Sequence, residues 1–126
     1  MAKIIPGVGS SATSGERRFG QRLEALLEDD YLCWFNVTIG RSYKHPDFII
    51  LHPRRGLLVV EVKDWKLNAI QSITPETVDL MTSGGLKRKA SPLRQARQDA
   101  MAIAQRLERD PALLAPAGHC HRGKLL

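Results

Sequence analysis

Two apolar runs, Phe48-Ile49-Ile50-Leu51 and Leu57-Leu58-Val59-Val60, stand on either side of Pro53-Arg54-Arg55-Gly56. Each run is too short for a helix, and neither alternates with polar residues. That is the pattern of strands covered on both faces. The turn residues between them join the two as a hairpin. A sheet built around such a hairpin needs cover on each face, so it is expected to be flanked by helices.

The flanking segments provide these helices. Thr13-Ser14-Gly15-Glu16 is a capping-box pattern, and Phe19, Leu23, Leu26 and Leu27 follow at helical spacing. A helix over about residues 15–28 is expected, fraying at Glu28-Asp29-Asp30, where acidic residues oppose the helix dipole. Tyr31 to Ile39 reads as a strand, and residues 40–46 as a loop. Ala69–Ile73 and Val78–Met81 form a second, weaker hairpin around Thr74-Pro75-Glu76-Thr77. Residues 84–89 read as a flexible basic loop. Ser91-Pro92 opens a second helix, with the stripe Leu93, Ala96, Ala100, Ile103 and Leu107, and Asp110-Pro111 stops it. Lys124-Leu125-Leu126 looks like the start of a further strand. The expected architecture is α/β, in the order α-β-β-β-α-β, with a central mixed sheet flanked by helices. Residues 1–13 form a flexible leader, and residues 14–126 form one domain cut before its final strand.

The length of 126 residues allows a single domain, and the charge is unevenly placed along it. Residues 1–79 are neutral, with ten basic and ten acidic side chains. The whole formal excess of +6 therefore lies in residues 80–126, which points to a polyanionic partner. No apolar run approaches the ~18 residues that span a bilayer, and the first residues are too short for a secretory signal. Cys33 and Cys120 form no CxxC and no disulfide framework, which fits a reducing cytoplasm. His119-Cys120-His121 reads as a metal tract or as a plain loop before a strand. Three adjacent ligands do not easily reach one ion.

Three charged residues sit where the hairpin's apolar packing should continue. Asp47 precedes its first strand, and Glu61 and Lys63 end its second. Strand side chains alternate, so Glu61 and Lys63 share a face. A three-residue loop Arg54-Arg55-Gly56, with Gly56 left-handed, pairs Pro53 with Leu57 and sets Asp47 opposite Lys63 on that same face. A two-residue loop would put Asp47 on the other face. Clustered in this way, Asp47 and Glu61 offer hard oxygen ligands to a divalent cation, and the Val62 carbonyl can add a third. Lys63 can orient a water, lower its pKa or neutralise developing charge. Phosphodiester cleavage is the chemistry that uses such a set. The alternative is a structural salt bridge at the end of a buried hairpin.

Pro46-Asp47, with Glu61-x-Lys63 fourteen residues on, resembles the PD-(D/E)xK nuclease superfamily. More specifically, the chain resembles the nuclease-related domain, NERD. The matching segments are Gly15-Glu16 before a Leu-rich helix, Pro46-Asp47-Phe48, Gly56 to Trp65, and Ser91-Pro92-Leu93-Arg94-Gln95-Ala96. They run in the family's order over about residues 14–110. Ser91 stands where members commonly have Asn, and Lys66-Leu67 where many soon have Gly. Neither departure touches the proposed metal site. The resemblance implies a restriction-endonuclease-like core and Mg²⁺- or Mn²⁺-dependent hydrolysis of DNA. It also implies a place in DNA processing, with a helicase domain further along the same chain.

Glu16 is either the capping-box carboxylate or, as the resemblance implies, a further metal or water ligand, and the two roles are compatible. By helical angle it lies near the Phe19–Leu23 stripe and faces the sheet. Gln95 falls off the second helix's apolar stripe, and only the resemblance places it near the site. Lys87, Arg88, Lys89, Arg94 and Arg97 form either a solvated face or a phosphate-binding surface that does not read sequence. Trp34 and Trp65 serve as core packing or as stacking platforms for bases. The rival function is a non-catalytic nucleic-acid-binding or docking module of a helicase.

Overall fold

A computed structural model describes residues 2–40, 45–118 and 120. It has two sheets and two long helices. The first sheet contains β1 (Lys3–Ile5), β2 (Leu32–Phe35), β3 (Phe48–His52) and β4 (Gly56–Val60), in that spatial order. β1 runs parallel to β2, and the other pairs are antiparallel, so the sheet is mixed. Helix α1 (Ser14–Leu26) makes the crossover from β1 to β2. The second sheet is an antiparallel meander of β5 (Ile70–Ile73), β6 (Thr77–Thr82) and β7 (Gly85–Ala90). Helix α2 (Pro92–Leu107) follows and lies against β4. The α/β class and the central mixed sheet match the sequence-based expectation.

The main core lies between α1 and the first sheet. Ile4, Cys33, Phe35, Phe48 and Ile50 are buried there with Leu23, and Phe19 packs partly buried against them. Phe19 meets Phe48 edge-on, with ring centroids 5.1 Å apart at 63°. Burying aromatics of this size stabilises by roughly 1.5–3 kcal/mol each. Gly20 lets Val8 pack closely on α1, because a Cβ there would lie 2.8 Å from Val8 Cγ2.

The structure corrects several local expectations. Residues 1–13 are not wholly a flexible leader, because Lys3–Ile5 pairs in register with Leu32–Trp34 and Ile4 is 3% exposed. A strand of three residues is too short to give a readable alternation, so only its pairing reveals it. β2 ends at Phe35 and not near Ile39, because Asn36 turns to a positive φ of 52°. The basic stretch 84–89 is not a loop. Gly85–Ala90 pairs along its whole length with β6, and Gly85 takes a φ of +100° at the turn. Its Lys-Arg-Lys run suits an edge strand, where charge discourages pairing with another chain. In α2, Leu93 is 62% exposed, while Asp99 and Ile103 are buried. α1 stops at Leu26, which is itself exposed. The expected strand at Lys124–Leu126, and both histidines of the His119-Cys120-His121 tract, lie outside the described residues.

The hairpin register differs from expectation by two residues. His52 pairs with Gly56 and Phe48 with Val60, so the connection is Pro53-Arg54-Arg55. Gly56 is left-handed as expected, at φ +85°, but it opens β4 and does not end the loop. A slip of two preserves the face of every side chain, whereas a slip of one would have inverted it. Continuing the register by one residue brings Asp47 alongside Glu61, where the sequence had placed it opposite Lys63.

Candidate active site

Asp47 is placed by the chain on both sides of it. Pro46 before it is fully buried, and so is Phe48 after it. The Asp47 carbonyl accepts a hydrogen bond from the Asn36 amide at 3.0 Å, which ties it to the end of β2. Its carboxylate Oδ2 accepts a hydrogen bond from the Val62 amide at 2.7 Å. That bond bridges the chain entering β3 and the chain leaving β4. It orients the carboxyl group without neutralising it.

The electrostatics of Asp47 are unusual for an aspartate. Burial pushes its pKa up to about 6, and the nearby carboxylates of Glu61 and Glu16 push in the same direction. The Val62 amide and the Lys63 ammonium act the other way and do not compensate. Asp47 and Glu61 therefore lie together at the end of the hairpin beside the Lys63 ammonium, with Glu16 near enough for its charge to act on Asp47. Glu61 has a side chain only 12% exposed and is paired with Lys63 Nζ at 2.9 Å. Lys63 also lies 5.9 Å from the centroid of the Trp65 ring. The structure thus brings together Asp47, Glu61, Val62 and Lys63, with Glu16 acting on Asp47 through its charge alone.

Glu16 realises the cap completely. Its carboxylate accepts from the Thr13 amide at 2.8 Å, and its own amide donates to Thr13 Oγ1 at 3.2 Å. Among the described residues, no three His, Cys, Asp or Glu side chains converge as a metal-binding group. The available set for a metal is therefore Asp47 and Glu61, with the Val62 carbonyl next in the chain. That set fits Mg²⁺, which takes one or two carboxylates and keeps several waters, better than a cation that needs a full protein cage.

Gln95 is half-buried, and its Oε1 is buried with no hydrogen-bond partner among the described residues. It makes no hydrogen bond to Asp47, Glu61 or Lys63. Ser91 caps α2, accepting from the Leu93 amide at 3.3 Å.

Residues 11–121 match the family model described as the nuclease-related domain, NERD. The chain belongs to the NERD family. No curated protein and no solved structure matches it.

The basic residues of this NERD domain differ in their partners. Lys87 and Lys89 alternate with Arg88 along β7, so they point to opposite faces. Arg88 holds Asp79 through two hydrogen bonds, of 2.8 and 3.2 Å. That contact, with a bond from Ser72, lowers the Asp79 pKa. Arg94 lies 3.6 Å from Glu76. Arg97 lines a groove of about 620 Å³ with Arg94, Leu93 and Met101.

A second groove went unread in the sequence. It measures about 610 Å³, runs between α1 and the residues after β4, and includes Lys63 in its lining. Arg18 and Arg22, four residues apart on α1, were the signal for it. They were overlooked because the first 79 residues sum to zero charge. No helix of the described residues is long and apolar enough to cross a membrane.

Proposed function

We propose that this NERD domain hydrolyses phosphodiester bonds of DNA with Mg²⁺, or Mn²⁺, held at Asp47 and Glu61. The observation that carries this reading is the cluster itself. Asp47 is half-buried, the charges of Glu61 and Glu16 add to its cost of ionisation, and Lys63 offsets only part of it. A bound divalent cation would relieve that repulsion, and it would supply Lewis-acid polarisation of a phosphoryl oxygen and acidification of water.

Asp47 would contribute the carboxylate oxygen not engaged by the Val62 amide. Glu61 would contribute the oxygen turned away from Lys63. Lys63 is the more exposed partner of the pair, its side chain 29% exposed against 12% for Glu61. On substrate entry it would leave Glu61 to orient the attacking water and offset charge developing on the phosphate. Glu16 supports the site from the α1 cap, and Gln95, with its buried and unpartnered carbonyl oxygen, is the further catalytic candidate on α2.

The setting we propose is DNA processing or repair in a reducing cytoplasm, with a helicase domain in the same protein. The 2.9 Å Glu61–Lys63 pair gives a second reading some support, that of a binding module whose cluster is only structural. The two readings separate in one assay. Incubation of the protein with DNA and Mg²⁺ should release shorter products, and EDTA should stop their release. DNA bound without cleavage under both conditions would favour the module.

A further inference from the structure

The groove between α1 and the segment after β4 combines charge with an aromatic ring. Arg18 and Arg22 line one wall, Lys63 and Lys66 the other, with the Trp65 indole between the lysines in sequence. Among the described residues, no ion pair or hydrogen bond engages the side chains of Arg18, Arg22 or Lys66, and all three are exposed. Trp65 is half-buried, so part of its ring remains open. Asp64 is the one acidic residue in the lining. Its Oδ1 lies 2.2 Å from where a Gly15 Cβ would stand, so it is tucked against the start of α1.

Cations along a channel, with an aromatic ring set among them, suit a strand whose phosphates and bases are both accessible. A duplex offers its phosphates to the cations but no base face to the ring, because its bases are stacked and paired. We infer that this groove holds a single strand of DNA, with phosphates on Arg18, Arg22 and Lys66 and a base on Trp65. Lys63 belongs both to the groove and to the Glu61 pair, so the strand would enter the proposed phosphodiester site directly from it. The inference rests on the nuclease reading for what happens next, but not for binding itself.

The test is equilibrium binding of a fluorescein-labelled dT12 strand to the 126-residue protein in EDTA, where no cleavage occurs. Fluorescence anisotropy should show tighter binding of dT12 than of a 12-base-pair duplex. Arg18→Glu with Arg22→Glu should weaken dT12 binding by at least about tenfold. It should also flatten the dependence of log K on log salt by about 1.4, the share of two phosphates on a single strand. Trp65→Ala should weaken binding by about fivefold or more, and Trp65→Phe should restore most of the loss. Circular dichroism of each variant checks that its fold is retained. The inference is overturned if the folded arginine variant binds dT12 with unchanged affinity and salt dependence, or if the duplex binds more tightly and Trp65→Ala has no effect. Binding as described without any cleavage in Mg²⁺ would leave this inference standing and remove the nuclease reading. Cleavage unaffected by the groove variants would do the reverse.

Discussion

The carboxylate of Asp47 and the amide of Val62 are joined by a 2.7 Å hydrogen bond across the open end of the β3–β4 hairpin. The bond fixes an acidic group at the place where the strands part. A carboxylate held by one neutral donor keeps its charge and one free oxygen, which is the state a cation ligand requires.

The raised pKa of Asp47 makes a prediction for the metal-free protein. A carboxyl group with a folded pKa of about 6 binds a proton more tightly in the folded state than in the unfolded chain. This group should therefore favour folding at acid pH, lose that contribution as pH rises from about 4 to 6, and oppose folding above it. In EDTA, the wild type should gain stability relative to Asp47→Asn as pH falls from 7 to 5, measured by urea unfolding. Equal pH dependence in the two proteins would contradict the placement of Asp47.

The two roles of Glu16 can be separated. Thr13→Ala removes the side-chain half of the capping box and should cost about 1 kcal/mol of stability. Glu16→Gln keeps an acceptor for the Thr13 amide, so the helix should hold. It also removes one of the charges that raise the Asp47 pKa. Carboxyl-carbon NMR titration should then show Asp47 titrating lower in Glu16→Gln than in the wild type.

Arg88 and its neighbours on β7 should behave differently toward DNA. Arg88 is committed to Asp79, whereas Lys87 and Lys89 have no ion pair among the described residues. Removing Arg88 should leave DNA affinity nearly unchanged, while Lys87→Ala with Lys89→Ala should lower it and reduce its salt dependence. Anisotropy titrations at several salt concentrations distinguish the two.

Much of the architecture was legible in the sequence because the local signals agreed with the fold. The unbroken apolar runs at 48–51 and 57–60 marked the hairpin, and Thr13 with Glu16 marked the start of α1. The site survived an error in register because an even slip leaves Asp47 and Glu61 on one face. What was missed depended on contacts between distant segments. β1 exists because β2 offers it an edge, and β7 exists because β6 does, although Lys87-Arg88-Lys89 has the composition of a loop. α2 buries Ile103 and half-buries Ala96, Ala100 and Leu107 as their spacing implies, but it also buries Asp99 and leaves Leu93 exposed, which apolar spacing alone does not reveal. The α1 groove was hidden by counting charge along the chain, since Arg18 and Lys66 meet only in three dimensions.

The central claim is that Asp47, Glu61 and Lys63 cut a phosphodiester bond. Its most direct test is the single-turnover cleavage rate of a DNA strand in Mg²⁺ for wild type, Asp47→Asn and Lys63→Ala, with each variant shown to be folded. The wild type should cleave, and each substitution should slow cleavage by at least about 100-fold, the loss typical of a missing ligand, base or charge stabiliser. Cleavage at the wild-type rate by both folded variants would contradict the assignment of this site.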